Sequence, residues 1–181
     1  MKKFFLLKLL NITAVILLCM SLLCSCEDKS QSNLIDLHSF PFEYTGRLVF
    51  DGTEYSVNVS AENESSFSVT FLQPNELEGV SFVFENGEPH ILYDGTKIPI
   101  SDSEYFTENG VLLMKEMFSQ TKEDLVGISI ETVENEELNA AEYVIESGRV
   151  TVYSKKDRTL PVHIRLKTPD HEITFSPQEQ N

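Results

Sequence analysis

The sequence predicts a mainly β (α+β) domain, a strongly curved antiparallel sheet or incomplete β-barrel of about nine or ten strands with one covering helix. Three observations predict it. Short runs alternate apolar and polar side chains with a period of two, Asp-Gly and Asn-Gly dipeptides punctuate them, and a single stretch, residues 103–120, switches to a helical period.

The elements follow in order. In residues 44–50, Tyr44, Leu48 and Phe50 share one face; Asp51-Gly52 then turns the chain, and Tyr55, Val57 and Val59 alternate with Glu54, Ser56 and Asn58. Residues 66–71 place Phe67, Val69 and Phe71 inward and Ser66, Ser68 and Thr70 outward. Residues 80–85, 90–93 and 97–100 continue as short strands joined at Asn86-Gly87 and Asp94-Gly95. The helical stretch pairs Leu113 with Met117 and Met114 with Phe118 at i, i+4, with Phe106 two turns before Leu113. Ser101 or Ser103 is placed to cap it, and Gly110 to weaken its middle. Strands resume at residues 127–133, 141–146 and 149–154. Residues 160–167 set Leu160, Val162, Ile164 and Leu166 against Pro161, His163, Arg165 and Lys167, and Ile173 with Phe175 supply a closing strand.

The first 25 residues are an address. Lys2, Lys3 and Lys8 precede an apolar run broken by Asn11, Thr13 and Ser21, the layout of a secretory signal peptide and too short for a membrane span of roughly 20 residues. The run ends in Leu23-Cys24-Ser25-Cys26, which resembles the bacterial lipobox. That resemblance implies cleavage between Ser25 and Cys26 and lipidation of the Cys26 sulfur, hence anchoring to a cell membrane on its extracytoplasmic side. Stable anchorage needs more than one acyl chain, since each buried CH2 contributes about 0.8 kcal/mol. The expected organisation is residues 1–25 as signal peptide, 26–43 as lipidated cysteine and tether, 44–176 as the β-rich domain and 177–181 as a tail.

Cleavage there removes three lysines and no acidic residue, leaving 11 basic against 29 acidic side chains and a formal charge of −18. So acidic a chain carries no basic footprint for nucleic acid and no polybasic patch for an anionic lipid surface. Its surface is either simply solvated, an acidic docking face for a basic envelope protein partner, or a place of weak divalent-cation binding. Cys19 and Cys24 leave with the signal, and Cys26 is then the sole cysteine, so disulfides, thiolate metal sites and a catalytic cysteine are excluded.

Other catalytic signatures are missing. No Gly-x-Ser-x-Gly elbow, phosphate-binding glycine loop or His-Glu-x-x-His occurs, so no catalytic residue, no metal site and no cofactor is expected and the protein is read as non-enzymatic. His38, His90, His163 and His171 have no second ligand at zinc spacing, and His90 and His163 are expected to face solvent. Asp102, Glu104 and Glu108 suit a helix start as well as a cation. Asn58-Val59-Ser60 and Asn63-Glu64-Ser65 match the glycosylation sequon and read as surface loops.

Residues 71–79 (Phe-Leu-Gln-Pro-Asn-Glu-Leu-Glu-Gly), the hairpins through Asn86-Gly87 and Asp94-Gly95, and the C-terminal Thr151-Val152-Tyr153, residues 157–164 and Ile173-Thr174-Phe175 resemble the LolA-like group of envelope lipoprotein carriers. The resemblance covers much of residues 44–176. It implies an incomplete barrel whose concave apolar face is covered by helices and receives acyl chains, and it assigns no catalytic residue. The chain departs from the group at residues 34–41, where one turn stopped by Pro41 replaces an opening helix. The expected function is a membrane-anchored, non-enzymatic lipoprotein binding an apolar ligand such as lipid acyl chains, with Phe106, Leu113, Met114, Met117 and Phe118 as the contacting side chains. The alternative is an envelope interaction or scaffold module whose concave face is filled by those same residues.

Overall fold

The computed structural model describes residues 40–100, 110–156 and 160–178. Eleven strands form one antiparallel sheet: β1 (Phe42–Phe50), β2 (Thr53–Asn63), β3 (Ser66–Gln73), β4 (Ser81–Glu85), β5 (Glu88–Tyr93), β6 (Thr96–Pro99), β7 (Leu125–Val133), β8 (Glu136–Val144), β9 (Arg149–Ser154), β10 (Pro161–Lys167) and β11 (Glu172–Pro177). Their order is β6-β5-β4-β3-β2-β1-β11-β10-β9-β8-β7. Every strand but the edge pair β6 and β7 therefore has two partners, and the first and last strands meet in the middle, with Leu48 opposite Phe175. The sheet stays open between β6 and β7, and the chain crosses that gap through helix α1 (Val111–Met117) and a 3-10 turn (Lys122–Asp124).

Laid flat, eleven strands would span about 48 Å at ~4.8 Å per strand. Yet one apolar cluster joins Phe84 on β4, Val57 and Val69 in the centre and Tyr143 on β8 to Met114 and Met117 of α1. Only a strongly curved sheet brings both wings onto one short helix. The side chains that do so are those the alternation placed inward: Val57, Val59, Val69, Ile164, Ile173 and Phe175 are fully buried. The compact unit Asn33–Asn181 contains every strand and the whole cluster, so it carries its own core.

Two-residue turns set the register. Asp51-Gly52, Asn86-Gly87 and Asp94-Gly95 all adopt positive φ, as hairpins with mirror-image turns require. A fourth such turn, Glu134-Asn135, has φ of 51° and 69° and lies inside what reads in sequence as a glutamate-rich block. β8 accordingly starts at Glu136, five residues before the expected Ala141, and the described residues form eleven strands, close to the nine or ten expected.

The structure corrects several further expectations. Gly110 is not mid-helix: it precedes α1 in a left-handed conformation with φ 71°. α1 stops at Met117, short of Gln120, because the Ser119 hydroxyl donates to the Lys115 carbonyl at 2.7 Å and Thr121 begins a new capping box with Asp124. In β10 a bulge between Pro161 and His163 breaks the alternation. Pro161 is buried, Leu160 is exposed, and Val162 joins a small second cluster with Leu138, Ala140 and Tyr153 on the convex face. His90 is buried rather than solvent-facing, because register places it between Val83 of β4 and Pro99 of β6. His163 is half-buried and hydrogen-bonded to the Ser176 hydroxyl at 2.8 Å; burial pushes its pKa down, favouring the neutral ring.

Candidate ligand-binding site

Helix α1 lies along the concave face and runs opposite to β1. Its start meets the Phe50 end of that strand: a Cβ on Gly110 would stand 2.8 Å from the Phe50 ring. Its end meets the other: the Phe118 ring stacks on Phe42 with centroids 5.4 Å apart and on Tyr44 at 6.3 Å, and meets Phe175 edge-on at 5.6 Å. Gly46 makes room for this arrangement, since any Cβ there would be 2.8 Å from the Phe175 ring. Phe67 completes the cluster at 6.1 Å from Phe118.

Of the side chains expected to contact a ligand, Leu113, Met114, Met117 and Phe118 are brought together in the main cluster, all buried. Phe106 lies outside the described residues, as do Ser25, Cys26, His38, Ser101, Asp102, Ser103, Glu104 and Glu108. The four that are described divide by role. Met114 lines one cavity and Phe118 another, while Leu113 and Met117 line neither and pack against the sheet.

The first cavity, about 180 Å³, sits at the start of α1. The sheet contributes Leu48, Phe50, Tyr55, Phe71, Phe82 and Ile173; the loop after β3 contributes Leu77; and the helix side contributes Gly110, Val111 and Met114. No ionisable side chain other than the Tyr55 phenol is among them. The aromatic walls are held by edge-on contacts, Tyr55 on Phe71 at 5.4 Å and Phe71 on Phe82 at 5.8 Å.

The second cavity, about 310 Å³, sits at the other end of α1 and has a different character. Phe40, Phe67 and Phe118 form its apolar floor, and Asn63, Glu64, Lys115, Ser119 and Thr121 its polar rim. Nearby, the buried Gln120 amide has neither its nitrogen nor its oxygen hydrogen-bonded, and Glu116 Oε2 is likewise buried without a partner.

At the lip of the first cavity, Phe50 also packs on the His171 ring at 5.3 Å. His171 Nδ1 is 2.7 Å from Asp51 Oδ2, and the Glu172 backbone N–H donates to Asp51 Oδ1 at 2.9 Å. The Glu172 N–H first, and His171 second, hold the Asp51 carboxyl below the usual carboxylate range.

Sequence periodicity found the helix residues and most of the wall, because strand alternation marks Phe50, Tyr55, Phe67 and Phe71 as inward-facing. It missed Leu77, which lies in a loop and obeys no period, and it attached no role to Lys115. Among the described residues no three His, Cys, Asp or Glu side chains converge on a metal-sized point, and no helix is long and apolar enough to cross a membrane.

No protein-family model and no curated protein matches the chain. Solved structures similar to it include an uncharacterized conserved protein from Thermus thermophilus, at 14% identity over 83% of this chain and 86% of that one, with a TM-score of 0.43. The Mycobacterium tuberculosis lipoprotein LppX is similar at 11% identity, over 79% of this chain and 88% of that one, with a TM-score of 0.42. A LolA superfamily protein from Nitrosomonas europaea is similar at 10% identity, over 83% and 89%, with a TM-score of 0.42.

Proposed function

We propose that this protein is a non-enzymatic lipoprotein of the cell envelope, held to a membrane through lipidated Cys26, whose concave face binds an apolar ligand such as a lipid acyl chain. The observation that carries the reading is the cavity between α1 and the sheet, walled by Leu48, Phe50, Phe71, Phe82, Val111 and Met114. The space is partly open and lined mainly by apolar side chains, and for scale an apolar cavity of about 150 Å³ takes up benzene. At about 180 Å³ this one accepts the end of a chain, whereas drug-sized ligands occupy roughly 300–1,000 Å³. A longer chain requires α1 to shift, and two features ease that. The helix has only seven residues, and Met114 has an unbranched, adaptable side chain.

In the same reading, residues 1–25 are a cleaved signal peptide and the segment from Cys26 to the first strand is a tether. Cys26→Ser is expected to move the protein from the membrane fraction to the soluble fraction of fractionated cells; retention in the membrane would contradict the anchor.

The cavity itself is tested with Leu77→Trp, which fills it from a loop rather than from the packed sheet. Uptake of a fluorescent fatty acid by residues 27–181 is expected to fall sharply while the urea midpoint is kept. Undiminished uptake in the variant, or none in the wild type, would overturn the reading. The second outcome favours the interaction module, for which the Phe42, Phe118 and Phe175 packing in the middle of the concave face is the supporting observation.

A further inference from the structure

Nine lysines and arginines lie among the described residues, and six of them are paired: Arg47 with Glu54, Lys97 with Glu85, Arg149 with Glu142, Lys155 with Glu136, Lys156 with Glu137 and Arg165 with Glu131. Lys122 and Lys167 have no such partner but are exposed. Lys115 alone is half-buried with no ion-pair partner among the described residues, its ammonium 5.4 Å from the centre of the Phe84 ring. In a chain with 29 acidic side chains, a half-buried cation with no ion-pair partner among the described residues is conspicuous. Of the acids around it among the described residues, the Asp124 carboxylate accepts from the Thr121 N–H and hydroxyl at 2.7 and 2.8 Å, Glu64 stands exposed on the rim of the same cavity, and Glu116 has one buried oxygen without a hydrogen-bond partner and forms no ion pair with Lys115.

Lys115 also stands on the wall of the 310 Å³ cavity, above a floor of Phe40, Phe67 and Phe118. A lysine lays its aliphatic stem on apolar surface and keeps its ammonium free to turn towards a polar partner. The volume falls in the range of small-molecule sites, and the complement of this arrangement is an apolar body carrying one oxyanion.

We propose that the cavity at the end of α1 is a headgroup site that takes an anionic amphiphile, its carboxylate or phosphate paired with the Lys115 ammonium and its apolar part on Phe67 and Phe118. It rests on the apolar-ligand reading and adds to it the charge of the ligand. A charge-assisted hydrogen bond in a partly desolvated site is worth about tenfold in affinity or more.

Three ligands with one chain and different heads test it: oleate, oleoyl lysophosphatidate and the neutral oleyl alcohol, titrated calorimetrically below their aggregation limits into residues 27–181. The wild type is expected to bind both anions about tenfold more tightly than the alcohol, and the tighter of the two identifies the headgroup as carboxylate or phosphate. Lys115→Met should erase that preference with the alcohol affinity unchanged, and Lys115→Arg should keep it. Equal binding of alcohol and anions by the wild type overturns the site, as does a preference that survives Lys115→Met. A uniform loss for all three ligands in Lys115→Met also overturns it, and assigns the lysine to packing on Phe84 and the helix dipole. If none of the three ligands binds the wild type, the apolar-ligand reading itself fails.

Discussion

Phe118, the residue that ends helix α1, stacks on Phe42 of β1 with ring centroids 5.4 Å apart and planes inclined by 23°. The contact ties the helix to the centre of the sheet, because β1 is the middle strand of the eleven and Phe175 of its neighbour β11 closes on the same ring. Truncation to Phe118→Ala leaves a cavity among Phe42, Tyr44, Phe67 and Phe175 and is expected to cost about 3–5 kcal/mol. Urea denaturation monitored by circular dichroism measures it. A loss below about 1 kcal/mol, the level of a surface substitution, would mean that the helix is not docked through this ring.

Gly110 is tied to Phe50 in the same way at the opposite end of the helix. Gly110→Ala places a Cβ in a left-handed conformation, at about 1–2 kcal/mol, and drives the Phe50 ring from its position. The expected destabilisation is about 2–4 kcal/mol, with fatty-acid uptake reduced because Phe50 walls the first cavity. Denaturant midpoints and the uptake assay read the two effects separately.

The buried Gln120 amide forms no hydrogen bond, and an unpaired buried polar group costs about 1–3 kcal/mol. Gln120→Met, close in volume and free of that cost, is expected to raise the melting temperature. A fall instead would show that the amide is paired in solution.

Asp51 predicts an acid-side effect. Its carboxyl is held below the ordinary value, about 3.9, first by the Glu172 N–H and then by His171. A group with a depressed folded-state pKa contributes stability that is complete above the unfolded value and is lost as pH falls through the folded one. The wild type should therefore lose stability more steeply below about pH 4 than Asp51→Asn does, asparagine being a residue that tolerates the left-handed turn. Glu85, similarly depressed by Lys97, acts in the same range in both proteins, so the difference between the two curves isolates Asp51. Parallel curves would remove the Asp51 contacts from the folded state in solution.

Much of this fold was legible in the sequence because it is built from local rules. Asp51-Gly52, Asn86-Gly87 and Asp94-Gly95 announce their hairpins through residues that accept positive φ, and Val57, Val59, Val69, Ile173 and Phe175 announce the concave face through a period of two. Glu134-Asn135 makes the same turn without announcing it, because glutamate does not favour that conformation; tertiary pairing of β7 with β8 imposes it. The bulge at Val162 is equally silent, since one extra residue against β9 leaves no mark in composition. The site was legible only in outline. Helical spacing gathered Leu113, Met114, Met117 and Phe118 correctly onto the core, but which of them borders empty space depends on how Phe50 of β1, Phe82 of β4 and Leu77 of the loop between β3 and β4 meet. That Lys115 has no ion-pair partner among the described residues is likewise a property of where six other cations found their carboxylates.

The central claim is that the concave face under α1 receives an apolar ligand. Native mass spectrometry of residues 27–181, exported without the lipid anchor and purified without detergent, tests it most directly. The expected result is a population carrying an added mass of lipid size that is lost on extraction with organic solvent and is diminished in Leu77→Trp. A single apo mass, together with no binding of added fatty acid, would contradict it.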